Sequence, residues 1–302
     1  MNLAIKAAAS GSDAVLITQN GKTLVDVRTE TASRPIYLAS VGKLLASFAV
    51  GAAIDRGLLS SIYQPISELF PEWRQGQKRA ITIHNILAHR SGLQDEPNAS
   101  LELEVAENVV RLALAAELSE PPGTLARYNN KAYALIAGLI EAATGERFEH
   151  FFASAFLNPM GITNVEWFLD RSGNAATYGA FALQVDDLWK FGELVNRNGR
   201  WGDRRLLSRK WIVTSMKPAG IDTPQLGLGW HMRSGQRILY NKQVNLMGYF
   251  HGGYRGNCLL VVPSANLVAV RLVSKSRFDL VGGDHWPSFV EDVLNLLVEN
   301  GG

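Results

Sequence analysis

Ser40-Val41-Gly42-Lys43 is the only Ser-x-x-Lys in this 302-residue chain, and three residues apart on a helix a hydroxyl and an amine share one face. A serine hydroxyl is a weak nucleophile at neutral pH. It needs a base within hydrogen-bond reach, and a lysine serves only where burial or a neighbouring cation lowers its pKa. Leu44, Leu45, Phe48, Ala49, Ala52 and Ala53 recur around Lys43 at helical spacing and would supply that burial. A serine at the amino end of such a helix would also turn free N–H groups toward developing negative charge. The same tetrapeptide is expected by chance on the order of once in a chain this rich in serine, with Ser40 then a plain helix cap.

Tyr128-Asn129-Asn130 is the only Tyr-x-Asn. It follows the turn Pro121-Pro122-Gly123-Thr124 and precedes the helical run Ala132, Leu135, Ile136, Leu139 and Ile140, which puts it at a loop-to-helix junction. There a phenol can face a cleft while the Asn130 amide orients a carbonyl or a lysine. A core tyrosine followed by a capping asparagine fits the same residues. In His251-Gly252-Gly253-Tyr254, paired glycines let a backbone approach a ligand or turn sharply. An ordinary glycine turn beside a surface histidine is the other reading.

Two β-rich runs, Ala14 to Thr18 and Thr23 to Val27, flank Asn20-Gly21, the strongest short-range hairpin signal. A buried helix is expected from Ser40 to Arg56, stopped at Gly57. From about Ile66 to Arg200 the pattern is mostly helical, with starts at Ser100 and near Asn129 and stops at Gly92 and Gly145. Cys258 to Val262 and Leu267 to Val273, joined by Pro263-Ser264-Ala265-Asn266, predict a hairpin of strands covered on both faces. Ser288-Phe289-Val290-Glu291 predicts a capping box for a closing helix. The elements imply an α+β chain: a sheet lobe from 1–58 and 200–302, a mostly helical lobe over 59–199, and a cleft between them.

Thirty Lys plus Arg against 28 Asp plus Glu give a formal charge of +2. The basic residues are scattered, so neither nucleic acid nor an anionic membrane surface is expected as a partner. Met1 to Ser10 lacks the apolar stretch of a secretory signal and no run is long enough to span a bilayer, which predicts a cytoplasmic protein. His84 and His89 lack the His-Glu-x-x-His pattern and cysteine partners, so no metal and no cofactor is implied. The single cysteine, Cys258, sits in an apolar run and reads as a buried thiol.

The order Ser-x-x-Lys, Tyr-x-Asn, then a glycine-containing triad before a late strand resembles the serine β-lactamase and penicillin-binding-protein superfamily, with the nearest likeness to the class C branch and its related carboxylesterases. Ile81 to Leu93, Pro122-Gly123-Thr124, Pro159-Met160-Gly161-Ile162, Asp187 to Gly192 and Leu226 to Trp230 extend the likeness over most of the chain. The resemblance implies a β-lactamase/transpeptidase-like fold, an antiparallel sheet flanked by helices with an inserted all-helical lobe. It would make Ser40 the acylated nucleophile, Lys43 its activating partner and Tyr128 the proton-transfer residue. Asn130, His251, Gly252, Gly253 and Tyr254 would bind substrate, the Ser40 and Tyr254 N–H groups forming an oxyanion hole. The family's third motif is Lys-Thr-Gly or Lys-Ser-Gly, and His251-Gly252-Gly253 lacks its cation and hydroxyl; a protonated His251 or Arg255 would be the stand-in. Tyr249, Phe250 and Tyr254 near that motif would suit an apolar substrate group or simply the core. The expectation is a serine hydrolase of a small ester or amide, with a β-lactamase, a D-amino-acid peptidase or a non-catalytic binding or assembly protein as the alternatives.

Overall fold

The computed structural model of the chain describes residues 3–179, 181–239 and 242–299. Strands β1 (Ala14–Gln19), β2 (Lys22–Arg28), β3 (His231–Leu239), β4 (Lys242–Gly253), β5 (Asn257–Val262) and β6 (Leu267–Leu272) form one antiparallel sheet in the order β2-β1-β6-β5-β4-β3. Asn20 and Gly21 take φ of 52° and 74°, the left-handed pair a two-residue hairpin demands. β1 then pairs with the last strand, Val15 opposite Arg271 and Ile17 opposite Ala269, so the two chain ends close one sheet.

Every residue of β5 and β6 is buried because both faces of the sheet are covered. Leu259, Val261, Val268 and Val270 pack into one layer with α2 (Gly42–Asp55) and α4 (Val185–Asn196). Leu260, Val262, Leu267 and Ala269 face the other layer, with α1 (Leu3–Ala9) and α5 (Phe289–Glu299). The period-two alternation of a strand assigns each residue to its layer. Helices Ala99–Val105, Val109–Ala115 and α3 (Asn130–Thr144) lie between in sequence. No helix among the described residues is long and apolar enough to cross a membrane.

Three expectations shift. The helix foreseen from Ser40 begins at Gly42, because Ala39 adopts a left-handed φ of 51° and the chain enters through a 3-10 turn, Ala39–Val41. α4 belongs with the sheet although the sequence boundary at 199 grouped it with the helices. Its Gly192 lies so close that a Cβ would overlap Val268, and Trp189 Nε1 donates to Thr18 Oγ1 at 2.8 Å. In the expected capping box, Ser288 Oγ donates to Asp292 at 2.8 Å and Glu291 pairs with Arg233 at 3.0 Å. A short three-stranded sheet of Ile36–Tyr37, Phe181–Leu183 and Glu166–Trp167, unseen in the sequence, leads the chain into the Ser40 turn.

Candidate active site

Ser40 occupies the 3-10 turn and caps nothing: no side-chain cap bond starts either that turn or α2. Its hydroxyl is instead 2.5 Å from Tyr128 Oη and 3.2 Å from Lys43 Nζ. Lys43, on the first turn of α2, is fully buried. Burial pushes its pKa down to about 7, against the opposing pull of Asp95. Among the described residues no carboxylate forms an ion pair with Lys43; the amine donates to the Tyr178 carbonyl at 2.7 Å and lies 4.6 Å from the Tyr128 ring centre. An uncompensated buried amine sheds its proton readily.

Tyr128 stands just ahead of α3, whose cap is Asn129: its Oδ1 accepts from Ala132 N at 2.6 Å and its Nδ2 donates to Leu93 O at 2.6 Å. The tyrosine keeps 46% of its surface exposed, yet its hydroxyl turns inward to Ser40. Burial pushes that phenol up to about 12, with the Ser40 hydrogen bond opposing. At neutral pH the pair therefore consists of a protonated phenol and a half-titrated amine.

The third motif ends β4 and enters the turn Tyr254–Gly256. Gly253 touches the Ser40 turn: a Cβ there would overlap the Leu38 carbonyl oxygen. Asn257, buried, stitches the two segments by donating to Tyr37 O at 2.9 Å and Tyr254 O at 3.2 Å. A Cβ on Gly252 would meet nothing within 4 Å, so this position opens outward.

His251 departs from expectation. β4 sets it opposite Leu259 on the sheet face covered by α2, so the ring is buried, with Nδ1–H donating to Gly229 O at 2.8 Å. Burial holds its pKa well below the usual imidazole range. A neutral His251 supplies no cation to a carboxylate. Arg255 remains, its guanidinium 6.0 Å from the Tyr37 ring and 5.7 Å from the Tyr254 ring.

A cavity of about 590 Å³ opens beside Ser40, with Asn130, Tyr37, Phe168, Tyr178 and Tyr254 in its wall. Its aromatics are thus not the expected set. Tyr249 lies edge-on to Trp230 and Phe250 lies against His231, while Tyr254 stays at the rim, 67% exposed. A second cavity of about 650 Å³ borders Tyr128 and His89. Among the described residues no group of three or more His, Cys, Asp or Glu is placed to hold a metal ion. Sequence reasoning missed the Tyr178 carbonyl, which no side-chain motif can reveal, and Asn257, whose only sign was a polar residue heading an apolar strand.

An antiparallel sheet, a helical insertion and a Ser–Lys–Tyr cluster at their seam define a β-lactamase/transpeptidase-like hydrolase fold. The Beta-lactamase family model matches residues 4–287, and the chain belongs to that family. It is 30% identical over 145 residues to "Esterase EstB" of Burkholderia gladioli, which is 41% of this chain and 36% of that protein. A family VIII carboxylesterase structure superposes with a TM-score of 0.70 at 16% identity, covering 90% of this chain and 89% of the other. A penicillin binding protein from Bacillus halodurans gives 0.69 at 17% identity, covering 93% and 96%. At these identities the structures speak for fold alone. The matches span 27% to 39% of the length of the curated relatives.

Proposed function

We propose that the protein is a serine hydrolase that cleaves a small ester or amide through an acyl-enzyme on Ser40. The observation that carries this reading is the convergence of three groups distant in sequence: Ser40 Oγ at 2.5 Å from the Tyr128 phenol and 3.2 Å from a lysine whose burial frees its lone pair. Neutral Lys43 takes the serine proton as Oγ attacks the carbonyl. The Tyr128 phenol, protonated at neutral pH, hands its proton to the leaving group and is restored from Lys43. In the second half-reaction water attacks the acyl carbonyl and the proton path reverses. The Ser40 and Tyr254 N–H groups receive the oxyanion, a donor of this kind being worth roughly 2.7 to 4 kcal/mol.

Aromatic walls favour an apolar acyl group, and Asn130 orients its carbonyl end. With His251 neutral and Gly252 bare, Arg255 alone is left to meet a β-lactam carboxylate, so slow turnover of a chromogenic cephalosporin is expected. The likeness to a protein named esterase points the same way. The test is incubation with a fluorophosphonate and with p-nitrophenyl esters, followed by mass mapping. An adduct on Ser40 and turnover abolished in Ser40→Ala are expected. No adduct, or turnover unchanged in that variant, defeats the reading.

A further inference from the structure

Proton handling by Tyr128 requires the phenol to stay on Ser40, although Tyr128 belongs to a loop segment with nearly half its surface exposed. The residues on either side of it are both tied to one partner. Arg127 N donates to the His89 carbonyl at 2.8 Å, and Asn129 N donates to His89 Nδ1 at 3.1 Å. The imidazole ring packs on the Tyr128 ring, centres 4.7 Å apart and planes 32° from parallel, and also meets the Tyr133 ring at 4.8 Å. Tyr133 is itself fixed, its hydroxyl donating to Leu87 O at 2.9 Å. The stack therefore ends on an anchored residue.

His89 is built for such a post. It is buried and adopts a left-handed φ of 56°, which a chain maintains only where surrounding bonds enforce it. Since Nδ1 accepts from a backbone N–H, the ring is the neutral tautomer protonated on Nε2. Burial pushes its pKa down to about 3, with Lys43 and then His231 adding repulsion, so the acceptor persists across the working range.

We propose that His89 is a positioning residue for Tyr128, clamping the backbone on both sides of the tyrosine and backing its ring so that the phenol stays on Ser40. The inference rests on the acyl-Ser40 reading above. His89 does not line the cavity beside Ser40, and it acts through Tyr128, which its ring meets. Misplacing a reacting group by about 1 Å can cost on the order of a hundredfold in rate.

The experiment is a double-mutant cycle read by p-nitrophenyl ester turnover. His89→Ala is expected to lower kcat about 10- to 100-fold with KM within about twofold. His89→Asn keeps an acceptor near Nδ1 and tolerates the left-handed backbone, so it is expected to recover part of that loss, and it carries the test should His89→Ala fail to fold. In a Tyr128→Phe background the His89 substitution is expected to add little, because the hydroxyl it positions is gone. Losses that multiply in the double variant, or a kcat within twofold of the parent in both single variants, overturn the clamp. A crystal structure of His89→Asn or His89→Ala reads the geometry without turnover: a phenol still in hydrogen-bond contact with Ser40 in both also overturns it. Absence of a fluorophosphonate adduct on Ser40 in the parent enzyme defeats the hydrolase reading instead, leaving the crystallographic arm to decide the clamp.

Discussion

The Lys43 amine is hydrogen-bonded to the main-chain carbonyl of Tyr178 at 2.7 Å, and this bond sets the direction of its lone pair. A neutral amine carries two hydrogens and one lone pair. With a hydrogen committed to Tyr178, the lone pair can face Ser40 Oγ, 3.2 Å away. A carbonyl suits this task better than a carboxylate would, because a paired carboxylate would raise the lysine pKa and keep its proton in place.

The rate of Ser40 acylation is therefore expected to climb as pH rises through about 7 and to level above it, because burial lowers the Lys43 pKa to that value and only the neutral form accepts a proton. Below pH 7 the rate falls roughly tenfold per unit. Lys43→Arg, charged at every accessible pH, loses the activity. Stopped-flow acylation between pH 5 and 9 measures the limb; a flat profile removes Lys43 as the base, and a rate still climbing about tenfold per unit at pH 9 contradicts its lowered pKa.

Tyr128→Phe keeps the ring against His89 and Lys43 but deletes the oxygen at 2.5 Å from Ser40. A kcat loss of about 10² to 10⁴ is expected, the usual range for a positioned acid or base. Denaturant unfolding should shift by no more than about 1 kcal/mol, since the deleted hydroxyl belongs to a half-exposed side chain. A kcat within threefold of the parent would strip the phenol of its role.

Much of this site was legible because Ser40 and Lys43 lie three residues apart, a spacing that still joins them across the 3-10 turn that leads into α2, and because the apolar residues around Lys43 announce its burial. The hairpin at Asn20-Gly21 and the buried strands around Cys258 were legible for the same reason: local chemistry and long-range packing agree there. Other features lacked a local sign. Nothing in an alanine advertises the left-handed φ of Ala39 that starts the Ser40 turn. Gly252-Gly253 looked like a surface turn, yet strand register decides burial, and it sets His251 opposite Leu259. The pattern of α4 revealed an apolar face but not the sheet that covers it.

Cys258 is expected to resist alkylation. Its thiol is buried at the head of β5, and burial pushes the pKa up to about 12, so almost no thiolate exists at pH 8. Iodoacetamide should leave the folded protein unmodified by mass and label it fully in denaturant. Rapid labelling of the native protein would contradict the burial of this strand.

Two adjacent glycines should respond in opposite ways to the same substitution. Gly252→Ala places its methyl in open space, so stability should change by no more than about 0.5 kcal/mol. Gly253→Ala drives its methyl into the Leu38 carbonyl oxygen, with Asn257 Cβ and Val41 Cγ2 each 3.2 Å away. None of these can yield easily: Leu38 N donates to Phe181 O at 2.9 Å, and Asn257 is pinned by its bonds to Tyr37 and Tyr254 and by Val273 N on its Oδ1 at 2.7 Å. Overpacking here should cost about 1 to 3 kcal/mol and push the backbone at Gly253 away from the Ser40 turn, lowering kcat as well. Chemical denaturation and ester turnover of the two variants decide the matter. Equal behaviour at 252 and 253 would mean that the strand edge does not abut the Ser40 turn as described.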